Sequence, residues 1–292
     1  MSSLDRSISD LLQHNKEGSF STHANRSAQL KQIGKDLKDA GYKVQNIRNL
    51  KQKHVRALVE TWKERGLSAG TIKNRMSTLR WTAAKINNPQ IVERSNRAYE
   101  IEDRQYVKND LNIAKRLDVA SLQNISNDHV KMSLRLQEAF GLRREEAMKI
   151  QPNTADRGDV LHLEASWCKG GRERSIPIRN EEQRALLNEV KNFVRGQGDK
   201  SLIPKDLTYS QQLKAYEYQT EKVGLDKNHG LRHQYAQDRY LELTGRECPK
   251  NGGLTSRQLS PEDRKIDYES RLQISEELGH SREAITAVYL GR

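Results

Sequence analysis

The chain has 292 residues, enough for one large domain or two ordinary ones, and it is lean in apolar residues (34%) and rich in charged ones (31%). No apolar run reaches the length of a membrane span and the N-terminus lacks the apolar stretch of a signal peptide, so we expect a soluble intracellular protein. The two cysteines, Cys168 and Cys248, lie far apart without ligand-spaced neighbours, which argues against a zinc site or a disulfide framework.

The net charge of +12 is unevenly distributed along the chain. Residues 1–100 contain 19 Lys/Arg against 9 Asp/Glu, whereas the remaining 192 residues contain 32 against 30. Such an excess attracts polyanions, because each phosphate that is neutralised releases condensed counterions. A membrane surface is the alternative partner, but no strongly amphipathic helix flanked by Lys and Trp stands out. The N-terminal third is therefore predicted to bind nucleic acid, and no membrane partner is expected.

Hydrophobic periodicity predicts helices through this N-terminal third. A short helix over residues 4–12 precedes three longer ones, which run from residue 21 towards Gly41, over 51–65 and over 68–87. In the last of them a clean apolar stripe leaves several cations on the other faces. These cations are assigned to phosphate contacts, with an ordinary solvated face as the alternative: Lys73, Arg75, Arg80 and Lys85.

The periodicity also suggests domain limits. We assign residues 1–20 to an N-terminal extension and 21–95 to a helical DNA-binding domain. Residues 96–113 lack strong periodicity and are predicted to form a linker. A larger domain is expected over 114–292.

In this larger domain the pattern changes from helix to strand and back. Helices are predicted over residues 126–140 and 144–150, and then 160–167 alternate apolar and polar residues. A Gly-Gly turn leads to a second strand over 174–178, where Pro177 indicates an edge. Helices follow over 181–196, 210–223, 232–243 and 271–278, with a polar stretch at 245–267 that is predicted to be an insertion. The expected fold is mainly α with a small β-hairpin, an α+β fold.

Six side chains form a set that suits phosphoryl transfer. Each has an ordinary structural explanation by itself, such as a surface arginine or a capping histidine. Together, two arginines can clamp a phosphate, imidazoles can move a proton, and a lysine can protonate a leaving oxygen. A tyrosine hydroxyl needs such a positive field to act as a nucleophile near neutral pH. This set requires no metal or other cofactor. Its six members are Arg143, Lys169, His229, Arg232, His280 and Tyr289.

Four segments resemble, in order and spacing, the boxes of the tyrosine recombinases, the phage-integrase family that includes the Xer proteins. Residues 141–146 read Gly-Leu-Arg-Arg-Glu-Glu and resemble the first arginine box. Residues 168–178 resemble the lysine hairpin, and 229–233, His-Gly-Leu-Arg-His, resemble the second arginine box. Residues 278–280, Leu-Gly-His, followed nine residues later by Tyr289, resemble the terminal box.

The resemblance implies a two-domain C-shaped clamp around DNA and a role for each matching residue. Arg143 and Arg232 would hold the scissile phosphate, Lys169 would protonate the leaving 5′-hydroxyl, and Tyr289 would form a 3′-phosphotyrosine link. His229 would assist proton transfer, His280 would hydrogen-bond the phosphate, and Glu146 would orient this cluster. On the hairpin, Arg172 and Arg174 are assigned to DNA contacts.

The resemblance further implies an integrase of a phage or mobile element. Its partners would be double-stranded attachment-site DNA, further copies of the chain in a tetramer, and an accessory excisionase or DNA-bending protein. It would work in a bacterial cytoplasm, on the nucleoid when bound to DNA. The alternatives are relaxation of DNA like that by a type IB topoisomerase, and a non-catalytic DNA-binding regulator on the same fold.

Three features depart from the family pattern. The interval between Arg232 and His280 is longer than usual, and the 245–267 stretch could contact DNA, contact a neighbouring subunit or be a loop, which we favour. Only three residues follow Tyr289, so either assembly uses surfaces other than an exchanged tail or this chain lacks such a tail. Cys168 replaces the glycine that precedes the lysine, a change that should be tolerated.

Overall fold

The computed structural model describes residues 2–107 and 111–292, and contacts divide the chain into two compact units, Met1–Gln105 and Tyr106–Arg292. Most of the described part of the chain is helical, and it contains one two-stranded antiparallel sheet, which confirms the predicted α+β fold class. Over the described residues, every helix is too short or too polar to cross a membrane.

The first unit is built from four helices around its own apolar core. They are α1 (Ser3–His14), α2 (Phe20–Asp39), α3 (Gln52–Glu64) and α4 (Ala69–Lys85), with short 3-10 helices at Ile47–Asn49, Pro89–Ile91 and Asn96–Tyr99. At the starts of α1, α2 and α4, serine side chains accept hydrogen bonds from backbone N–H groups that have no partner within the helix. The largest buried side chain of this core is Trp62 of α3.

The two ends of this unit differ from the sequence-based limits. Leu4, Ile8 and Leu11 of α1 are buried in the same core as α2–α4, so residues 1–20 contain a core helix and are more than an extension. Tyr99 and Ile101 are also buried there, so the start of the predicted linker 96–113 belongs to the first unit. The part of that linker formed by Lys108, Asn109 and Asp110 lies outside the described residues.

The four cations assigned to DNA on α4 have partners within the unit. The Arg75 guanidinium donates to the buried Asp36 carboxylate at 2.8 Å and lies 5.0 Å from the Trp62 ring centroid. Arg80 donates to the Glu93 carbonyl oxygen at 2.9 Å. These two arginines therefore stabilise the unit itself, and their assignment to phosphate contacts stays a prediction. Lys73 and Lys85 pair with the exposed acids Asp103 and Glu17, and such surface pairs are weak and exchangeable.

The second unit is organised around one buried helix. Its helices are α5 (Val119–Gln123), α6 (Asp128–Phe140), α7 (Arg144–Lys149), α8 (Pro152–Ala155), α9 (Glu181–Gln197), α10 (Tyr209–Lys222), α11 (His229–Thr244), α12 (Pro261–Glu277) and α13 (Ala287–Leu290). α11 packs against α6, α12 and α13, so residues from four helices meet along it.

A hairpin of two strands packs on this helical core. β1 (Val160–Leu163) pairs with β2 (Arg174–Pro177), and the facing Leu161 and Ile176 are both buried. The predicted first strand, 160–167, is shorter than expected, because Ala165–Trp167 turn into a 3-10 helix that buries Trp167. Gly170 and Gly171 both have positive φ, and this turn leaves Lys169 and Arg172 exposed.

The C-terminal part also differs from its prediction. α12 begins at Pro261 with Ser260 as its N-cap, ten residues before the expected start at 271. The 245–260 segment contains a 3-10 helix at Pro249–Asn251, and Cys248 is fully buried in the core. The last element starts as a 3-10 helix, Glu283–Thr286, with Arg282 at its N-cap position.

Candidate active site

Tyr289 lies at the centre of the polar cluster in the second unit. Its side chain is 5% exposed. The Tyr289 hydroxyl oxygen accepts a hydrogen bond from Arg232 Nε at 3.3 Å and lies 3.2 Å from His280 Nε2. These three predicted residues, which come from α11, α13 and the turn after α12, are therefore in direct contact.

Arg232 is fixed by two backbone carbonyls. Its Nη1 donates to Gly141 O at 2.6 Å and its Nη2 donates to Leu278 O. Gly141 has φ of 61° and lies so close to the Tyr235 ring that a Cβ there would be 2.5 Å from it, which explains the glycine. Desolvation lowers the pKa of Arg232 to about 10. Because this value is still well above neutral pH, the guanidinium stays charged.

Glu146 joins two arginines beneath this cluster. Arg143 caps α7, and both its backbone N–H (2.8 Å) and its Nη1 (2.7 Å) donate to the Glu146 carboxylate. On the other side Arg174 Nη2 donates to Glu146 Oε2 at 2.7 Å. Burial alone would raise the pKa of Glu146, but the hydrogen bond and charge of Arg174, with the charges of Arg143 and Arg232, lower it to about 2. Glu146 is therefore ionised at neutral pH.

Arg174 was assigned to DNA from the sequence, and the structure gives it partners within the second unit. Its guanidinium is buried, bound to Glu146, to the Glu277 carbonyl oxygen and to Cys168 Sγ. An arginine so enclosed holds the hairpin to α7 and α12. Arg172, in contrast, is exposed at the hairpin turn.

Three histidines surround the tyrosine, and all are held neutral. Desolvation, followed by the charges of Arg232 and Arg143, lowers the pKa of His280 to about 4. Desolvation and the neighbouring His229 lower the pKa of His233 to about 3. The pKa of His229 is lowered too, by desolvation and by Arg232. A neutral imidazole can accept a proton, which an imidazolium cannot.

Lys169 and His229 line a cavity beside this cluster. It has a volume of about 730 Å³, and Arg143 and Glu146 form part of its wall. The centroid of the His229 ring is 6.2 Å from that of Tyr289. The structure thus brings five of the six predicted residues round one cluster, with Lys169 on the hairpin that borders the same cavity.

At this site the sequence assigned no role to His233 and did not indicate the partner of Arg174. The ring of His233 lies 4.6 Å from the Tyr289 ring and is 2% exposed. It follows His229 by four residues, so helical spacing could have placed both imidazoles on one face of α11. The partnership of Arg174 with Glu146 spans 28 residues and left no local signal.

Comparison with known families is consistent with this geometry. The family model described as "Phage integrase, N-terminal" matches residues 1–91, and the model described as "Integrase" matches residues 102–238. The chain belongs to the tyrosine recombinases. It is accordingly a site-specific recombinase, as its four boxes predicted. The matched residues include Arg143, Lys169, His229 and Arg232, whereas His280 and Tyr289 lie beyond them. Comparison with curated proteins gives no significant match.

Solved structures of recombinases share the fold. A lambda integrase dimer bound to a COC′ core site is 16% identical, with a TM-score of 0.61 over 98% of this chain and 75% of that one. The Tn1549 transposon integrase in complex with transposon right end DNA is 15% identical, with a TM-score of 0.53 over 100% and 95%. The XerH recombinase bound to a palindromic difH substrate is 15% identical, with a TM-score of 0.56 over 98% and 80%. Lambda integrase also forms a tetramer on a Holliday junction.

Proposed function

We propose that this recombinase cuts one strand of duplex DNA with Tyr289, holds it as a 3′-phosphotyrosine, and rejoins it to a partner strand. The observation that carries the proposal is the position of the Tyr289 hydroxyl, within hydrogen-bond distance of both Arg232 Nε and His280 Nε2. A nucleophile needs this arrangement of a cation to hold the phosphate and a neutral base to receive the proton.

The first step forms one bond and breaks one. The Tyr289 oxygen attacks phosphorus, the bond from phosphorus to the 5′-oxygen breaks, and the 3′-phosphate becomes attached to the tyrosine. Because Arg232 Nε donates to the hydroxyl oxygen, the hydroxyl hydrogen is available to His280 Nε2, which receives the proton. Lys169 supplies a proton to the departing 5′-oxygen. Arg143 and Arg232 neutralise the charge on the non-bridging oxygens.

Rejoining is the same step in reverse with another 5′-hydroxyl. His280 returns the proton to the tyrosine, and the phosphotyrosine bond conserves the energy of the original phosphodiester. His229 assists these transfers from the cavity side of the cluster. The chain's own residues supply every proton and charge that the reaction needs, so we propose no cofactor for it.

We further propose that the partner of the first unit is duplex DNA and that its contact surface lies near the start of α3. Lys43, Lys51 and Lys53 are exposed there and line a cavity of about 580 Å³. An exposed cluster of lysines can release counterions from the phosphate backbone, which paired cations do less well. On the second unit, Arg172 at the hairpin turn is proposed to contact DNA.

The proposals on the assembly and cellular location of this protein draw on its relatives. Because lambda integrase is a dimer on a core site and a tetramer on a Holliday junction, we propose that four copies of this chain act together on DNA attachment sites. An accessory excisionase or DNA-bending protein would set the direction of recombination. The place of action would be the nucleoid in a bacterial cytoplasm.

Covalent trapping tests the proposal. The protein is incubated with nicked suicide duplexes that carry candidate attachment sites, denatured, and mapped for a protein–DNA adduct. We expect an adduct at Tyr289 that is abolished by Tyr289→Phe, while DNA affinity is unchanged. Tyr268→Phe is the matched control, because Tyr268 is an exposed tyrosine of the same unit, and its adduct yield should equal that of the unchanged protein.

Other outcomes would separate the rival functions. DNA binding without an adduct on any site would favour a non-catalytic regulator. An adduct accompanied by relaxation of supercoiled DNA, but never by strand exchange between two sites, would favour activity like that of a type IB topoisomerase. An adduct that persists in Tyr289→Phe would refute the nucleophile.

A further inference from the structure

The carbonyls at the end of the tyrosine-bearing helix are held by side chains from elsewhere in the second unit. A helix leaves its last carbonyl oxygens without partners inside the helix, and α13 has only four residues. Lys250 Nζ donates to Val288 O at 2.8 Å, and Gln237 Nε2 donates to Tyr289 O at 3.0 Å. Arg271 Nη1 donates to Gly291 O at 3.0 Å.

The three donors stand on different parts of the fold. Gln237 lies on α11, four residues after His233, and is 2% exposed. Arg271 lies on α12 and is 1% exposed, fixed through its Nε by Asp267 at 2.8 Å. Lys250 lies in the 245–260 segment, part of the 245–267 stretch for which a loop was favoured over a contact with DNA or with a neighbouring subunit. A one-turn helix has little stability of its own, so these donors contribute to holding the backbone that carries Tyr289.

Two of the three donors also bind residues 111–112, the first residues that the structure describes after residue 110. Lys250 Nζ donates to Leu111 O at 3.1 Å. The amides of Gln237 and Asn112 pair reciprocally, at 2.9 and 3.2 Å. Asn112 Nδ2 further donates to Asn251 Oδ1 at 2.8 Å, next to Lys250. The stretch at 111–112 and the helix of Tyr289 therefore share their hydrogen-bond donors.

We propose that Lys250 and Gln237 are positioning residues for Tyr289, and that the 245–260 segment is present to provide this support. The proposal rests on the nucleophilic role of Tyr289 given above and extends it. Neither side chain contacts the tyrosine hydroxyl, so both act through the backbone of α13.

The first test needs neither DNA nor catalysis. Hydrogen exchange, read by mass spectrometry, is compared for the full-length protein and for Lys250→Met, which keeps the apolar stem and removes the donor. We expect exchange in the peptide of residues 284–292 to be about tenfold faster, since one hydrogen bond is lost, with α9 and α10 unchanged. Lys250→Arg should restore slow exchange. Lys265→Met, at an exposed lysine on α12, is the control that should change nothing.

The second test measures the reaction. In single-turnover cleavage of a suicide duplex, we expect Lys250→Met and Gln237→Met to cut about tenfold or more slowly, because a misplaced nucleophile is a poor one, while DNA affinity stays within about twofold. Lys250→Arg should recover most of the rate. Gln237→Met gives an independent answer if one variant folds poorly.

The outcomes separate this inference from the function on which it rests. Unchanged exchange at 284–292 in Lys250→Met would overturn the inference even if Tyr289 forms an adduct. Equal losses of cleavage, affinity and global stability would also overturn it, because the role would then be structural. If the unchanged protein forms no adduct at Tyr289, the proposed function fails, while the exchange result still decides whether Lys250 fixes α13.

Discussion

Glu146 is the residue on which the charged groups of the site depend. Three arginines surround it, and two of them, Arg143 and Arg174, donate to its buried carboxylate. Arg174 in turn ties the hairpin to α12 through the Glu277 carbonyl oxygen. A single carboxylate therefore compensates the cations that would otherwise repel one another before any phosphate is bound. Replacing Glu146 should therefore lower the stability of the fold, in addition to any effect on the reaction.

Glu146→Gln tests this dependence. The amide keeps the shape but leaves Arg174 as a buried cation without a counter-charge, which typically costs about 3–5 kcal/mol. We expect the free energy of unfolding, from urea denaturation at pH 7, to fall by that amount. Glu145→Gln is the control: Glu145 pairs with Lys149 at a partly exposed position, where a loss of about 0.5 kcal/mol is expected. Equal losses in the two variants would show that the Glu146 cluster is not a source of stability.

At the scale of secondary-structure elements, features that depend on neighbouring residues could be predicted from the sequence, whereas contacts between residues far apart in the sequence could not. The apolar stripe of α4 and the alternation of β1 are local, and both elements are present. The role of Arg75 depends on Asp36, 39 residues away, and a sequence pattern cannot place that carboxylate beside it. The early start of α12 had a local signal, Ser260 before Pro261. It was missed because the residues that α12 buries include charged ones, Asp267 and Arg271, which blur its apolar stripe.

The residues of the candidate site could be singled out from the sequence for a related reason. Arg143, Arg232 and Tyr289 stand in short sequence boxes that resemble those of the family, so their identity required no knowledge of packing. Their support could not be found this way, because Gln237 and Lys250 reach the tyrosine helix across the fold.

The start of α3 gives the element-scale prediction. We expect the double variant Lys51→Ala/Lys53→Ala to weaken duplex binding and to reduce the slope of log K against log salt by nearly 2, because each lost phosphate contact removes about 0.9. The matched double variant Lys73→Ala/Lys85→Ala removes the same charge from α4, where both lysines pair with acids, and should change the slope less. Fluorescence anisotropy with labelled duplex over a salt series measures both. A larger change of the slope in Lys73→Ala/Lys85→Ala would indicate that the DNA interface lies on α4.

At the scale of the whole molecule, each unit has an apolar core of its own. One cluster of buried side chains lies within residues 4–101, and two others lie within residues 125–290. The units therefore have separate sources of stability, and their buried ionisable groups differ. The second unit contains His233 and His280, whose pKa values are lowered to about 3 and 4, whereas the first contains His54, whose pKa desolvation lowers.

These shifts make the stability of the second unit depend on pH with a definite sign. A histidine with a lowered pKa in the folded state takes up its proton more readily when unfolded, so acid favours unfolding. The contribution of His233 is complete above pH 6.5 and is lost as pH falls towards 3, at about 1.4 kcal/mol per pH unit. We expect His233→Gln to make this loss less steep between pH 6.5 and 4.5 in peptides of the second unit, as measured by hydrogen exchange in urea, with the part that His280 contributes remaining, and to leave the first unit unchanged. His14→Gln, at an exposed position on α1, is the control. If the slope for the second unit is as steep in His233→Gln as in the unchanged protein, the buried imidazole beside Tyr289 is not the group that acid titrates.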